Sequence, residues 1–311
     1  MAFKIAIIGL GKIAEDQHVP VIAKSKDFEL VATVSQRGLS QPGIPTFRTP
    51  AELYARIGAL DVVAICTPPS VRHQIARDAI NAGKHVLLEK PPTQTVAELF
   101  DLASLAKAHD KVVFTTWHSQ YNRAVYEAKK QLAKSTVRSL HIEWKEDVRR
   151  WHPGQEWIWQ PGGFGVFDPG INALSIVTKI MPRPIFIAKA ELSFPSNRDT
   201  PIAAALTFKA AGNDKTKLTA EFDWRQTGEQ SWNITIESED RRTFELSKGG
   251  ARLAIDGTLV ADEQPVEYEA IYRDFAGLLA RNESHVDFAP LQLVADSFML
   301  ARRLPVEPFN E

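Results

Sequence analysis

The sequence predicts an α/β fold: a doubly wound parallel sheet over residues 1–120, followed over 121–311 by an α+β domain with an open-faced, mainly antiparallel sheet. Three observations lead there. Fully apolar runs alternate with helical stretches in the first part of the chain. From Val137 onward the runs instead alternate apolar and polar residues between short turns. The length of 311 residues is also about twice that of a common domain.

Lys4 to Gly9 reads as a short strand ending in glycine, and Gly11-Lys-Ile-Ala-Glu opens a helix directly after it. Phe28 to Ser35 is the next β-branched run. Thr49-Pro50-Ala51-Glu52 joins an N-cap, a proline at the first helical position and a glutamate placed to close a capping box, so a helix starts there. Asp61 to Thr67 is almost wholly apolar, as a strand covered on both faces must be, and Ser70 to Ala82 follows as a helix stopped by Gly83. His85 to Leu88 is a further buried strand. Thr95-Val-Ala-Glu98 repeats the capping-box signal for a helix to about His109, and Lys111 to Thr116 is the last parallel strand. In the second domain, 137–148, 185–194, 202–210, 217–225 and 231–238 read as antiparallel strands, and Tyr268 to Arg281 and Pro290 to Arg303 as two closing helices.

Composition narrows the function classes. Hydrophobic residues at 44% and charged residues at 24% describe a chain that buries a core. With 37 basic against 38 acidic side chains and no dense basic run, nucleic acid is not an expected partner. The single cysteine, Cys66, leaves no internal disulfide, and the eight histidines are scattered without metal-ligand spacing. Met1-Ala-Phe-Lys runs straight into Ile5-Ala-Ile-Ile, and no apolar stretch reaches membrane-spanning length; a cytoplasmic protein without membrane contact is expected.

Gly9-Leu-Gly11-Lys-Ile-Ala14 is a G-x-G-x-x-A form of the dinucleotide fingerprint, placed between strand and helix where its mechanism requires it. Gly9 allows the tight turn, and Gly11, Lys12 and Ile13 bring a pyrophosphate to the helix N-terminus. The first domain is therefore read as a Rossmann domain. An NAD-selective site usually offers a carboxylate after the second strand, whereas this chain has Ser35-Gln36-Arg37. Arg37 suits a 2′-phosphate and Ser35 a hydrogen bond to it, so NADP is favoured while NAD remains usable.

Ligands of an open α/β sheet lie beyond the carboxyl ends of the strands, which directs attention to Thr67-Pro68, with His73 farther along the helix, and to Glu89-Lys90-Pro91. A lysine ending an apolar strand needs a partner or a water-filled cleft. At these residues the chain resembles the glucose-fructose oxidoreductase and inositol dehydrogenase (Gfo/Idh/MocA) family. The resemblance runs from the fingerprint through Ile65-Cys-Thr-Pro68 and Ala82-Gly-Lys-His-Val-Leu-Leu-Glu-Lys-Pro91 to the open sheet. It implies that Lys90 stands between nicotinamide and substrate. It also implies an acid followed four residues later by a histidine, for which this chain has Asp168 and Asn172. Asparagine cannot shuttle a proton, so acid-base work falls to Lys90, Asp168 or another group such as His152.

The stretch from Trp144 to Gly163 is rich in tryptophan and in hydrogen-bonding side chains, the mixture a pyranose needs for its apolar face and its hydroxyls. With 166–175 it looks like the bacterial aldose 1-dehydrogenases of the family, which oxidise galactose or arabinose at the anomeric carbon. The implied reaction is NAD(P)-dependent oxidation of an aldopyranose to its aldonolactone. Lys90 and Asp168 are the catalytic candidates, and either one is the proton acceptor. Asn172, His152, Glu146, Trp151 and His118 are the substrate-binding candidates, whereas Trp144, Trp157 and Trp159 are expected in the core. Gln120 replaces an arginine found in many family members. Alternatives are a dehydrogenase of a cyclic polyol or other secondary alcohol, and a dinucleotide-sensing regulator without turnover. A homo-oligomer formed through the open sheet face is expected.

Overall fold

The computed structural model describes residues 2–262, 264 and 266–310. They form two compact units, Met1–His118 with Glu267–Phe288, and Ser119–Val266 with Ala289–Glu311.

In the first unit β1 (Phe3–Ile8), β2 (Phe28–Val34), β3 (Thr46–Phe47), β4 (Val62–Ile65), β5 (His85–Glu89) and β6 (Val113–Thr116) form one sheet in the order β3-β2-β1-β4-β5-β6. Every pairing is parallel. Helices are needed to cross between such strands, and their coverage explains why all residues of β4 and β6 are buried. The helix after β1 starts with a wide π-type turn at Ala14–His18 and continues as α-helix over Val19–Lys24.

Helices Pro50–Arg56 and Val96–Ala108 start where the capping signals put them, and Pro69–Asn81 starts one residue before the expected Ser70. The Thr95–Glu98 box closes in full: Glu98 N–H donates to the Thr95 hydroxyl, and Thr95 N–H to the Glu98 carboxylate. At Thr49 the hydroxyl accepts from Glu52 N–H, but the Glu52 carboxylate takes Arg48 N–H, one residue before the cap.

Helix Glu267–Arg281 belongs to this first unit, although the sequence reading assigned all of 121–311 to the second domain. Its apolar face is the reason. Phe275 stacks between Phe28 of β2 and Phe114 of β6, at 5.8 and 5.4 Å, which completes the aromatic core of the sheet.

The second unit is built on nine strands: β7 (Val137–Lys145), β8 (Ile185–Pro195), β9 (Ala203–Ala210), β10 (Asn213–Asp223), β11 (Ser231–Ser238), β12 (Thr243–Ser247), β13 (Arg252–Ile255), β14 (Thr258–Asp262) and β15 (Ala301–Val306). Their order is β14-β13-β12-β11-β7-β10-β9-β8-β15. The sheet is mainly antiparallel, with parallel pairs at β7/β10 and β8/β15. In β9, Ala204, Leu206, Phe208 and Ala210 are buried while the residues between them are not, as one covered face demands. Helices Phe167–Ile180 and Ala289–Leu300 cover that face: Phe167 lies against Phe222 of β10 and Phe298 of the closing helix. Exposed residues such as Phe186 and His141 mark the open face.

The closing helix ends at Leu300 rather than Arg303, because 301–306 leaves as β15 to form the sheet edge beside β8. Pro305, which has no N–H to donate, is tolerated at such an edge.

Candidate functional site

The chain turns out of β1 at Gly9, whose φ of 96° is a conformation that side chains resist. Space excludes them too: a Cβ there would stand 2.8 Å from the amide nitrogen of Thr67 and 3.0 Å from the carbonyl carbon of Cys66. Glycine therefore lets the loop after β1 press against the loop after β4. A Cβ on Gly11 would lie 3.4 Å from the Arg37 guanidinium, so Arg37 reaches from the turn after β2 across the glycine loop. Ser35 is buried, and its hydroxyl accepts from Leu39 N–H at 3.1 Å, shaping the turn that leaves Gln36 and Arg37 exposed. Lys12 and Ile13 are exposed at the start of the helix, with Lys12 paired to Asp16. A helix N-terminus, two positions bare of side chain and an overhanging guanidinium fit the phosphates of a dinucleotide.

After β4, Pro68 is the N-cap of helix Pro69–Asn81, and the Thr67 carbonyl accepts from Arg72. His73 turns elsewhere: its Nε2 lies 2.7 Å from Asp101 Oδ2, which also takes Arg77, so it braces two helices. The bonds from Arg77 and then His73 hold the Asp101 carboxyl below its usual range. After β5, Lys90 is half-buried and precedes a cis bond to Pro91.

Glu89 beside it is buried. Its Oε1 accepts from the Tyr268 hydroxyl at 2.9 Å and lies 3.0 Å from His18 Nε2, while its Oε2 accepts from Lys90 N–H at 3.0 Å. Burial pushes this carboxyl up, but the bond to and charge of His18 outweigh it and hold the group at about 2. His118 follows β6, with Nδ1 2.9 Å from Glu267 Oε2 and its ring stacked on Tyr268. Burial lowers its pKa and the Lys90 ammonium works in the same direction; Glu267 and then Glu89 prevail and raise it.

In the second unit a polar cluster is lined by tryptophans. Glu146 sits one residue beyond β7 and is buried, not facing open solvent. Its Oε1 accepts from Trp224 Nε1 at 3.1 Å and its Oε2 from Trp232 Nε1 at 2.8 Å. Desolvation nonetheless raises its pKa; the two indole bonds and His152 oppose the shift, and Asp168 adds to it. His152 Nε2 lies 3.5 Å from Asp168 Oδ2, and its ring is 5.3 Å from that of Trp224.

Asp168 is buried in the first turn of helix Phe167–Ile180, and Asn172 one turn on is half-buried. Gly170 between them lets the helix settle on the sheet, since a Cβ there would be 3.3 Å from the Phe222 ring. Trp151 is 44% exposed, donates to Gln230 at 2.9 Å and lies edge-on to Trp232. Trp144 and Trp159 are buried, while Trp157 is half-buried. Gln120 is also buried and donates to the Ser175 carbonyl.

The structure thus brings together Glu146, His152 and Asp168, which sequence spacing kept apart, and it brings Lys90, Glu89 and His118 together in the first unit. Sequence reasoning missed Trp224 and Trp232. Trp224 directly follows β10 and Trp232 lies near the start of β11, the two strands that flank β7, and only the register that pairs Trp232 and Phe222 with Trp144 puts them beside Glu146. It also missed His18, Arg72, Tyr268 and Glu267, whose partners are remote in the chain. Among the described residues, no group of three or more His, Cys, Asp or Glu side chains converges to hold a metal ion, and no helix is long and apolar enough to cross a membrane.

Residues 3–117 match the model of an oxidoreductase family with an NAD-binding Rossmann fold, GFO_IDH_MocA. Over 308 residues the chain is 44% identical to galactose 1-dehydrogenase of Pseudomonas fluorescens, with 99% of each chain covered. The chain belongs to the Gfo/Idh/MocA family. Within that family, the crystal structure of D-galactose-1-dehydrogenase from Rhizobium etli superposes with a TM-score of 0.94 at 51% identity, covering 99% of this chain and 98% of that one. The fold of this Gfo/Idh/MocA member extends to far more distant sequences. KijD10, a 3-ketoreductase from Actinomadura kijaniata, superposes with a TM-score of 0.82 at 16% identity, covering 98% of this chain and all of that one. The chain is an oxidoreductase with an NAD-binding Rossmann domain.

Proposed function

We propose that this enzyme oxidises an aldopyranose of the galactose type at its anomeric carbon, giving the aldonolactone. The observation that carries the reading is the cluster of Glu146, His152 and Asp168 under Trp151, Trp224 and Trp232. It offers fixed acceptors for hydroxyls beside Trp151 and half-buried Trp232 as an aromatic surface for a sugar C–H face, with the buried Trp224 holding Glu146 from behind. The two relatives named for galactose 1-dehydrogenation support it along the full chain. Retention of Lys90 and Asp168, with Asn at 172, favours an activated anomeric hydroxyl over a cyclic polyol or a sensor without turnover.

When bound, the nicotinamide supplies the acceptor for the hydride of C1. Lys90 holds the anomeric oxygen and stabilises negative character there, while Asp168 takes its proton with His152 orienting the carboxylate. Glu146, Asn172 and Trp151 select among sugar epimers through the remaining hydroxyls, and His118 stands beside Lys90. Gly9, Gly11, Lys12, Ile13, Ser35, Gln36, Arg37, Thr67, Pro68 and Glu89 form or frame the dinucleotide site, whereas His73, expected there, is engaged by Asp101. Arg37 over Gly11 favours NADP, with NAD also accepted. Arabinose is a second substrate on this reading, the enzyme works in the cytoplasm, and copies pair through the open sheet face. A panel of aldoses assayed with NADP and with NAD, read by cofactor absorbance, tests the proposal. Galactose is expected to lead, and a panel with no turnover refutes the sugar reading.

A further inference from the structure

The turn that carries Lys90 is held from two sides by buried polar groups. On one side the Glu89 carboxylate accepts Lys90's own backbone N–H at 3.0 Å, which fixes that peptide plane and with it the direction in which the lysine side chain departs. On the other, the buried Arg72 guanidinium donates to the carbonyls of Glu89 and Pro91, bracketing Lys90, and to that of Thr67. Glu89 is itself anchored. His18 Nε2 lies 3.0 Å from its Oε1, and His18 Nδ1 lies 2.8 Å from the hydroxyl of Tyr272.

We infer that His18, acting through the Glu89 carboxylate, is a positioning residue for Lys90. His18 is fully buried in the helix that follows the glycine loop, far in sequence from the chemistry. A neutral core histidine needs one donor and one acceptor; here one nitrogen faces a carboxylate. The Tyr272 hydroxyl can accept as well as donate, so this geometry accommodates a charged His18 on the Glu89 carboxylate. A His18 pKa raised well above its usual value against the pull of burial, by Cys66 and Tyr272 and then Glu89, and the low value of Glu89 favour that form. Cys66, Tyr268, Tyr272, His118, Glu267 and Lys90 are the other titratable groups around this pair. Among them His118, itself bound to Glu267, acts on Glu89 as a positive charge, and the Lys90 ammonium acts on His118. Without His18, the buried Glu89 takes up a proton at higher pH, its bond to Lys90 N–H weakens, and the lysine loses its fixed direction.

The inference rests on Lys90 acting at the anomeric oxygen, and the test separates the two. His18→Gln keeps a side-chain donor and removes the charge. Its kcat is expected to gain an acid limb below about pH 6 that the wild type lacks, with the KM for cofactor changed by less than about twofold. A merely structural loss lowers kcat equally at all pH values. In the cofactor-free protein, carbon-13 NMR of the Glu89 carboxyl is expected to titrate at higher pH in His18→Gln than in the wild type. If that variant does not fold, Tyr272→Phe, which removes the partner of Nδ1, is expected to shift both readouts in the same direction by less. An unchanged kcat profile together with an unchanged Glu89 titration overturns the inference. A wild type that oxidises no aldose refutes the proposed function instead, and the NMR arm then decides the His18–Glu89 coupling by itself.

Discussion

At the residue scale, a few side chains have surroundings that leave them little freedom. Lys90 is set in a turn pinned by Glu89 and Arg72, so removing its ammonium is expected to affect chemistry and not folding. Lys90→Ala should lower kcat by on the order of 10²–10⁴ while cofactor affinity, measured by fluorescence titration, stays near wild type. Arg37 is exposed and reaches the glycine loop from outside, so Arg37→Ala should cost little stability. The expected loss is roughly tenfold or more in affinity for NADP, the worth of a charged hydrogen bond, with little change for NAD. Equal losses for the two cofactors contradict a phosphate role. Gly9 and Lys90 stood out in the sequence because each breaks a local pattern, whereas Asp168 was named from the family resemblance. Glu146 was named as a candidate, but its two indole partners were not, because they arrive from β10 and β11 and only strand register reveals them.

At the scale of elements, the His18–Glu89 pair ties the helix after β1 to the end of β5. Glu89 stands at about 2 in the fold against an ordinary 4.5. Its contribution to stability is complete above the ordinary value and is lost as pH falls through the folded one. The urea midpoint of the wild type should therefore fall between about pH 4.5 and pH 2 more steeply than that of Glu89→Gln, whose amide does not titrate. Parallel slopes in the two proteins contradict the low value. Five strands of the first unit were readable because burial on both faces writes apolar runs into the sequence, while the two-residue β3 was too short to show one. β12 to β14 are short, and β15 directly continues a helical pattern; local periodicity alone did not separate them.

At the scale of the whole molecule, chain-long similarity joins this protein to two galactose 1-dehydrogenases, and both sheets match the architecture foreseen from sequence. The return of Glu267–Arg281 to the first unit was not foreseen, since nothing local marks Phe275 as the ring between Phe28 and Phe114. The central claim is that hydride leaves C1 of an aldose. Galactose deuterated at C1, turned over with NADP or NAD, tests it most directly. The deuterium is expected in the reduced nicotinamide, with the lactone as product. Deuterium retained on the sugar, with oxidation at another carbon, contradicts it.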